Sequence, residues 1–209
     1  MKHLIFDFGA VVFQWQPAAL LARVLPQHAR DAASTQALQD AFFQGYGGAW
    51  GRFDRGTIEE PELSTALAAQ TGLAEAEVRL VIDAVPGELA PVPATVALLG
   101  RLREAGHRLF YLSNMPRPFA DHLEQAHAFL QWFDDGVFSG RVQLGKPDPA
   151  IFVHALHQFG VVAGDCVFLD DHPANVDAAR ALGMGAVLFS HADQAEAELR
   201  TLGVAAADA

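Results

Sequence analysis

Four short runs in this chain are apolar almost without interruption: residues 4–8, 109–113, 167–170 and 186–189. A half-exposed strand alternates apolar and polar positions, whereas a strand covered on both faces reads as one continuous apolar run. Strands buried in this way belong to parallel sheets, and parallel neighbours need long crossovers between them. The intervening segments carry helical signatures. Val92, Val96, Leu99 and Leu102 recur at helical spacing, and Gly106 supplies a stop. Asp148 and Pro149 suit the N-cap and first turn of a helix with the stripe Ile151, Phe152, Ala155, Leu156 and Phe159, and Gly160 ends it. Residues 173–182, followed by Gly183, repeat the design, and residues 137–139 are a weaker candidate for an edge strand. Strand and helix alternate from residue 91 onward, so the expected fold class is α/β, a doubly wound parallel sheet.

Residues 16–85 break that rhythm. They are mainly helical in pattern and contain no convincing strand. Thr57 and Glu60 have capping-box spacing and predict a helix running through Leu63 and Leu67, while residues 45–51 read as a glycine-rich break between helices. The expected organisation is therefore an α/β core, residues 1–15 and 86–209, with a helical cap, residues 16–85, inserted after the first strand. Such an insert can cover the carboxyl edge of the sheet, where ligands bind in open α/β folds. Residues 205–209 read as a loose tail.

A formal net charge of −11 and no basic run argue against nucleic acid or an anionic membrane as partner. The first residues lack the layout of a signal peptide, and no apolar run reaches the ~18 residues that span a bilayer. One cysteine, Cys166, excludes an internal disulfide and fits a reducing compartment, so a cytoplasmic location is expected; the chain is expected as a monomer or homodimer, between which the sequence does not decide.

Polar residues stand where the predicted strands end. In chain order these are Asp7, then Ser113-Asn114, then Lys146 in Gly145-Lys146-Pro147, then Asp170-Asp171 with Asn175 shortly after. A parallel sheet sets all its strand ends along one edge, which allows the residues to converge. Lys146 is one of two lysines, with Lys2, in a chain with twelve arginines, so a lysine was kept where arginine is otherwise preferred.

The order Asp, Ser-Asn, Lys-Pro, Asp-Asp resembles the four motifs of the haloacid dehalogenase-like hydrolase superfamily, over nearly the whole chain. With the Asp7-Phe8-Gly9 motif and the segment Trp50-Gly51-Arg52-Phe53-Asp54-Arg55-Gly56-Thr57-Ile58, it is similar in particular to bacterial sugar phosphatases of the alpha-D-glucose-1-phosphate phosphatase type. That resemblance implies a Mg²⁺-dependent phosphatase of small phosphorylated metabolites such as sugar phosphates.

The chemistry is consistent with those residues. A carboxylate, Asp7, can attack phosphorus and form an aspartyl phosphate. Asp7, Asp170, Asp171 and the Gly9 carbonyl offer hard oxygen ligands for Mg²⁺, which brings two anions together. Lys146 places a charge on the phosphate, and the Ser113 hydroxyl and the amide groups around Asn114 can donate to phosphoryl oxygens. Asn175 is expected to orient Lys146 or the carboxylates.

One departure stands out. Most phosphatases of this superfamily carry a second aspartate two positions after the nucleophile, where this chain has Gly9. A general acid–base is worth roughly 10²–10⁴ in rate. Either His172 or a cap residue such as Asp54 substitutes, or the substrate has a good leaving group, or the protein is a catalytically weak phosphate-binding module. A metal-free 2-haloacid dehalogenase is the rival enzyme. Specificity is expected in the insert and in the loop after Asn114, which includes Arg117; Trp15, Trp50, Phe42 and Phe43 are expected as packing residues rather than substrate contacts, with a place for Trp15 and Trp50 at the border of the site left open.

Overall fold

The computed structural model describes residues 2–207. Five parallel strands form one sheet: β1 (His3–Phe6), β2 (Arg108–Ser113), β3 (Asp135–Phe138), β4 (Cys166–Asp170) and β5 (Gly185–Leu188), in the order β3-β2-β1-β4-β5. The weakest of the expected strands is thus real and lies at an edge. β1 is central, with Phe6 opposite Tyr111 of β2 and Leu169 of β4.

Side chains alternate between two apolar layers. Leu4, Phe6, Leu109, Val167 and Leu169 face one layer, and Ile5, Phe110, Leu112, Cys166 and Phe168 face the other. Every one of them is buried, which is why the strands read as unbroken apolar runs. A short helix, α8 (Ser139–Val142), follows β3, and helices α9 (Pro149–Phe159) and α10 (Pro173–Ala181) cover the second face. The first is covered by α6 (Pro93–Glu104), α7 (Arg117–Ala126) and α11 (Ala192–Thr201).

Between β1 and α6 the chain forms five helices: α1 (Pro17–Val24), α2 (Ala32–Phe43), α3 (Gly48–Asp54), α4 (Glu60–Thr71) and α5 (Glu75–Glu88). Two local expectations are corrected here. Helix α4 starts at Glu60 with Glu59 at its N-cap, not from a Thr57 box. The Thr57 hydroxyl instead donates to the Arg52 carbonyl at the end of α3, and Pro61 sets the first turn of α4. The glycine-rich break is also shorter than expected. Gln44, Gly45 and Tyr46 take left-handed backbone, and helix resumes at Gly48. Gly51 lies inside that helix because a Cβ there would stand 1.9 Å from the Tyr46 carbonyl oxygen.

The expected loose tail is pinned as far as it is described. Ala207 N–H donates to the Arg101 carbonyl, and His107 bonds the Ala205 carbonyl. Residues 208 and 209 of that expectation lie outside the described residues. Among the described residues, no helix is long and apolar enough to cross a membrane.

Candidate active site

The carboxyl edge of the sheet gathers the residues singled out by the sequence. β1 ends at Phe6, and the Asp7 amide continues its ladder by donating to Leu169 of β4. That bond sets Asp7 beside the end of β4, where Asp170 and Asp171 follow. Asp7 Oδ1 accepts from the Phe8 amide at 2.7 Å and from the Lys146 ammonium at 2.9 Å. Lys146 Nζ lies 2.6 Å from Asp170 Oδ2, so one buried cation bridges two carboxylates.

Asp170 is fully enclosed. Its oxygens accept from the His172 amide and from Asn175 Nδ2 as well as from Lys146. Asn175 thus bonds a carboxylate of the site. Asn114 has a part the sequence did not reveal. Its Nδ2 donates to the Lys146 carbonyl at 2.9 Å and its Oδ1 accepts from the Lys146 amide at 2.8 Å. The side chain thereby clamps the loop that carries the lysine. Ser113 is buried at the end of β2 and lines the cleft.

Asp7, Asp170 and Asp171 each offer an oxygen within 4.8 Å of the others. Three carboxylates against one ammonium leave an excess of negative charge on hard oxygen donors, and that donor set fits Mg²⁺. The Asp7 carboxyl shows the imbalance. Loss of hydration raises its pKa to about 7, with Asp170 and Asp171 adding to the rise and Lys146 opposing it. Asp171 is raised as well, first by desolvation and then by Asp170.

A carboxyl with a raised folded pKa contributes stability that is complete below its unfolded value, near 4, and is lost as pH rises through about 7. The metal-free protein is therefore expected to lose stability between pH 5 and pH 8, and Mg²⁺ to restore most at the upper end. At a hundredfold excess over Kd the gain is about 2.7 kcal/mol, or roughly 5–10 °C in Tm for a chain of this size. Thermal melts with Mg²⁺ and with chelator at both pH values check this; a shift that is larger at pH 5 contradicts it.

Above the polar floor the cleft, about 710 Å³ including its mouth, is walled differently. Trp15, Trp50, Val85, Leu89, Met115 and Phe119 form an apolar roof. The polar groups it adds are the Tyr46 hydroxyl, which accepts from Trp15 Nε1, and the carboxyl of Asp54. Trp15 and Trp50 line the cleft and also pack against the core, Trp50 within it. Arg117 does not: it is exposed and lines a separate hollow with Phe53, Gly56 and Gly140, because α7 turns its first residue away from the sheet edge. Gly9 lines the cleft without a side chain.

Comparison with known proteins gives a consistent picture. The family model described as haloacid dehalogenase-like hydrolase matches residues 1–183. The sesquiterpene phosphatase astK of Aspergillus oryzae is 31% identical over 185 residues, covering 88% of this chain and 87% of that protein. The drimenol cyclase drtB of Aspergillus calidoustus is 28% identical over 208 residues, which span 97% of this chain but 36% of that longer one. Among solved structures, the HAD family enzyme bt-2542 of Bacteroides thetaiotaomicron, in complex with magnesium and inorganic phosphate, superposes with a TM-score of 0.71. The match covers 91% of this chain and 95% of that one at 18% identity, a likeness of fold.

Proposed function

The chain belongs to the haloacid dehalogenase-like hydrolases, and from that premise we propose that it is a magnesium-dependent phosphatase of small phosphorylated metabolites, acting through an aspartyl phosphate on Asp7. The observation that carries this reading is the placement of Lys146. Its ammonium touches the Asp7 carboxylate and is locked there by Asp170, while Asn114 holds the lysine backbone. A nucleophilic anion is thus held at the floor of a cleft with positive charge beside it.

In this reading Asp7 attacks phosphorus, Lys146 attracts a phosphoryl oxygen, and the Ser113 hydroxyl and the Asn114 amide donate to the others. Asp7, Asp170, Asp171 and the Gly9 carbonyl would hold Mg²⁺, which would supply charge neutralisation when bound. Residues 16–85 serve as the cap that closes the cleft.

Two substrate classes compete. The Asp7-Phe8-Gly9 motif and the resemblance to glucose-1-phosphate phosphatases favour a sugar phosphate. The roof favours a leaving group with an apolar body, because a polyhydroxylated sugar would meet few hydrogen-bonding partners there, and each unpaired buried hydroxyl costs about 1–3 kcal/mol. The phosphatase named for a sesquiterpene among the relatives supports the apolar reading. The test is a panel of monoesters with Mg²⁺ that includes alpha-D-glucose 1-phosphate, 6-phosphate sugars and prenyl monophosphates. Phosphate release that stops with chelator is expected, with kcat/KM at least ~10-fold higher for prenyl esters, since each buried methylene is worth about fourfold. Equal or better turnover of sugar phosphates returns the sugar reading. Turnover of 2-haloacids that ignores chelator establishes the dehalogenase instead. Binding of phosphate analogues without any turnover leaves a phosphate-binding module.

A further inference from the structure

We propose that Asp54, carried into the cleft by α3, supplies and recovers the proton that Gly9 cannot, acting as the general acid and then the general base of the reaction. This inference rests on the phosphatase reading and adds a catalytic residue to it.

Three observations converge on Asp54. First, it lines the same cleft as Asp7, Ser113, Lys146 and Asp171, yet it is carried there by α3 of the inserted helices and not by the sheet edge that carries Asp7. Second, Asp54 is largely buried, and among the described residues its carboxyl takes part in no hydrogen bond or ion pair, while its oxygens are not sealed off from the cleft that the residue lines. A carboxyl that is largely desolvated, unpartnered and open to the cleft is free to exchange a proton with a ligand there. Third, its backbone is held against the core. The Ser139 hydroxyl at the end of β3 donates to the Asp54 carbonyl and accepts from the Met115 amide. Two residues on, a Cβ at Gly56 would stand 2.3 Å from the Gly140 carbonyl oxygen, so the chains touch there. The Arg55 side chain lies across Gly145, next to Lys146. A proton donor needs this kind of fixed support.

Burial raises the Asp54 pKa well above the ordinary carboxyl range, with Arg55 opposing, a direction that favours the acid form the first step needs. The other candidates suit the task less. His172 is exposed at the rim. Tyr46 spends its oxygen on Trp15, and burial raises its pKa further above 10, so it cannot serve as a base in turn.

The step balances as follows. An Asp7 oxygen bonds to phosphorus while the bond from phosphorus to the ester oxygen breaks. The ester oxygen takes the Asp54 proton and leaves as an alcohol. Asp54, now a carboxylate, removes a proton from water as the water oxygen attacks the aspartyl phosphate. The bond from phosphorus to Asp7 breaks, which returns Asp7 as a carboxylate and Asp54 as an acid, with inorganic phosphate as the second product.

The experiment compares an alkyl phosphate with p-nitrophenyl phosphate, whose leaving group departs without a proton, in wild type and Asp54→Asn. Asp54→Asn is expected to lower steady-state turnover of the alkyl ester by about 10²–10⁴-fold. Nitrophenolate release in the first turnover is expected to fall far less, and phosphorylated Asp7 to accumulate, seen by intact mass. The double variant Gly9→Asp/Asp54→Asn is expected to recover alkyl turnover. There is room for it: Gly9 is not in the left-handed region, and a Cβ there would lie 3.8 Å from Trp15 Cβ.

A second readout needs no variant. In the wild type, alkyl turnover is expected to show an alkaline limb that first-turnover nitrophenolate release lacks, although Asp7, Lys146, Asp171, His172 and Tyr46 face the same cleft and Arg55 adjoins it. Equal slowing of both esters by Asp54→Asn, no slowing of the alkyl ester, or identical pH limbs overturns the proposal while the phosphatase reading stands. A wild-type protein that neither releases phosphate nor forms phosphorylated Asp7 overturns that reading itself.

Discussion

Asp7→Asn is expected to lower kcat by about 10⁴–10⁶, the scale on which loss of a nucleophile acts in covalent catalysis. The substitution keeps the size of the side chain and an oxygen for the Phe8 amide, so the loss reads chemistry and not collapse. It should also raise stability. The Asp7 carboxyl is held near a pKa of about 7 by loss of hydration, which means that its ionised form is unfavourable in the fold. At pH 8 without metal, the variant is therefore expected to melt above the wild type, and at pH 5 the gap should close. Phosphate release and thermal melts at the two pH values check both halves. Activity within tenfold of wild type would remove Asp7 from the nucleophile's place.

The opposite effect on stability is expected for Lys146→Met. Its ammonium is 1% exposed and is the cation shared by Asp7 and Asp170. Methionine fills much of the volume but leaves two enclosed carboxylates facing each other. Removing one partner of a buried ion pair costs roughly 3–5 kcal/mol, which for a chain of this size is about 6–20 °C in Tm. Because Asp7, whose pKa is raised to about 7 by loss of hydration, can take up a proton instead, the penalty should shrink from pH 8 to pH 5. Inorganic phosphate should also lose its stabilising effect on the variant. An unchanged Tm at pH 8 would mean that Asp170 relies on Asn175 and the His172 amide rather than on the lysine.

The polar floor of the site was legible because one rule governs it. Parallel strands end on one edge, so Asp7, Ser113 and Asp170 could be brought together from the sequence, whereas Lys146 lies in a loop eight residues beyond the end of β3 and is brought in by Asn114. The strands themselves announced their two-sided burial through unbroken apolar runs. What could not be read depends on chain segments that meet only in the folded state. Asn114 looks like turn chemistry in sequence, and its clamp on the Lys146 backbone joins residues 32 positions apart. Thr57 has the spacing of a capping box but spends its hydroxyl on α3, since Pro61 already starts the next helix. The apolar roof draws Trp15, Trp50, Val85, Leu89, Met115 and Phe119 from four separate stretches of chain, and none marks itself as a wall. Asp54 could be suspected from a missing side chain at Gly9. Its burial and its anchoring by Ser139 could not be foreseen.

The central position of β1 bears on how the chain is made. The strand that carries the nucleophile is translated before either of its neighbours, β2 and β4. At ribosomal speeds of about 5–20 residues per second, the wait for β2 is on the order of 5–20 s, and the wait for β4 is longer still. Throughout that time Leu4, Ile5 and Phe6 have both edges open, in a form prone to pair with other chains. Nor can the catalytic constellation arise early, because Asp7 lacks Lys146 and Asp170 until the last third of the chain emerges. A nascent chain stalled before residue 146 would carry the nucleophile and no activity, and its exposed first strand would make it a natural client of chaperones.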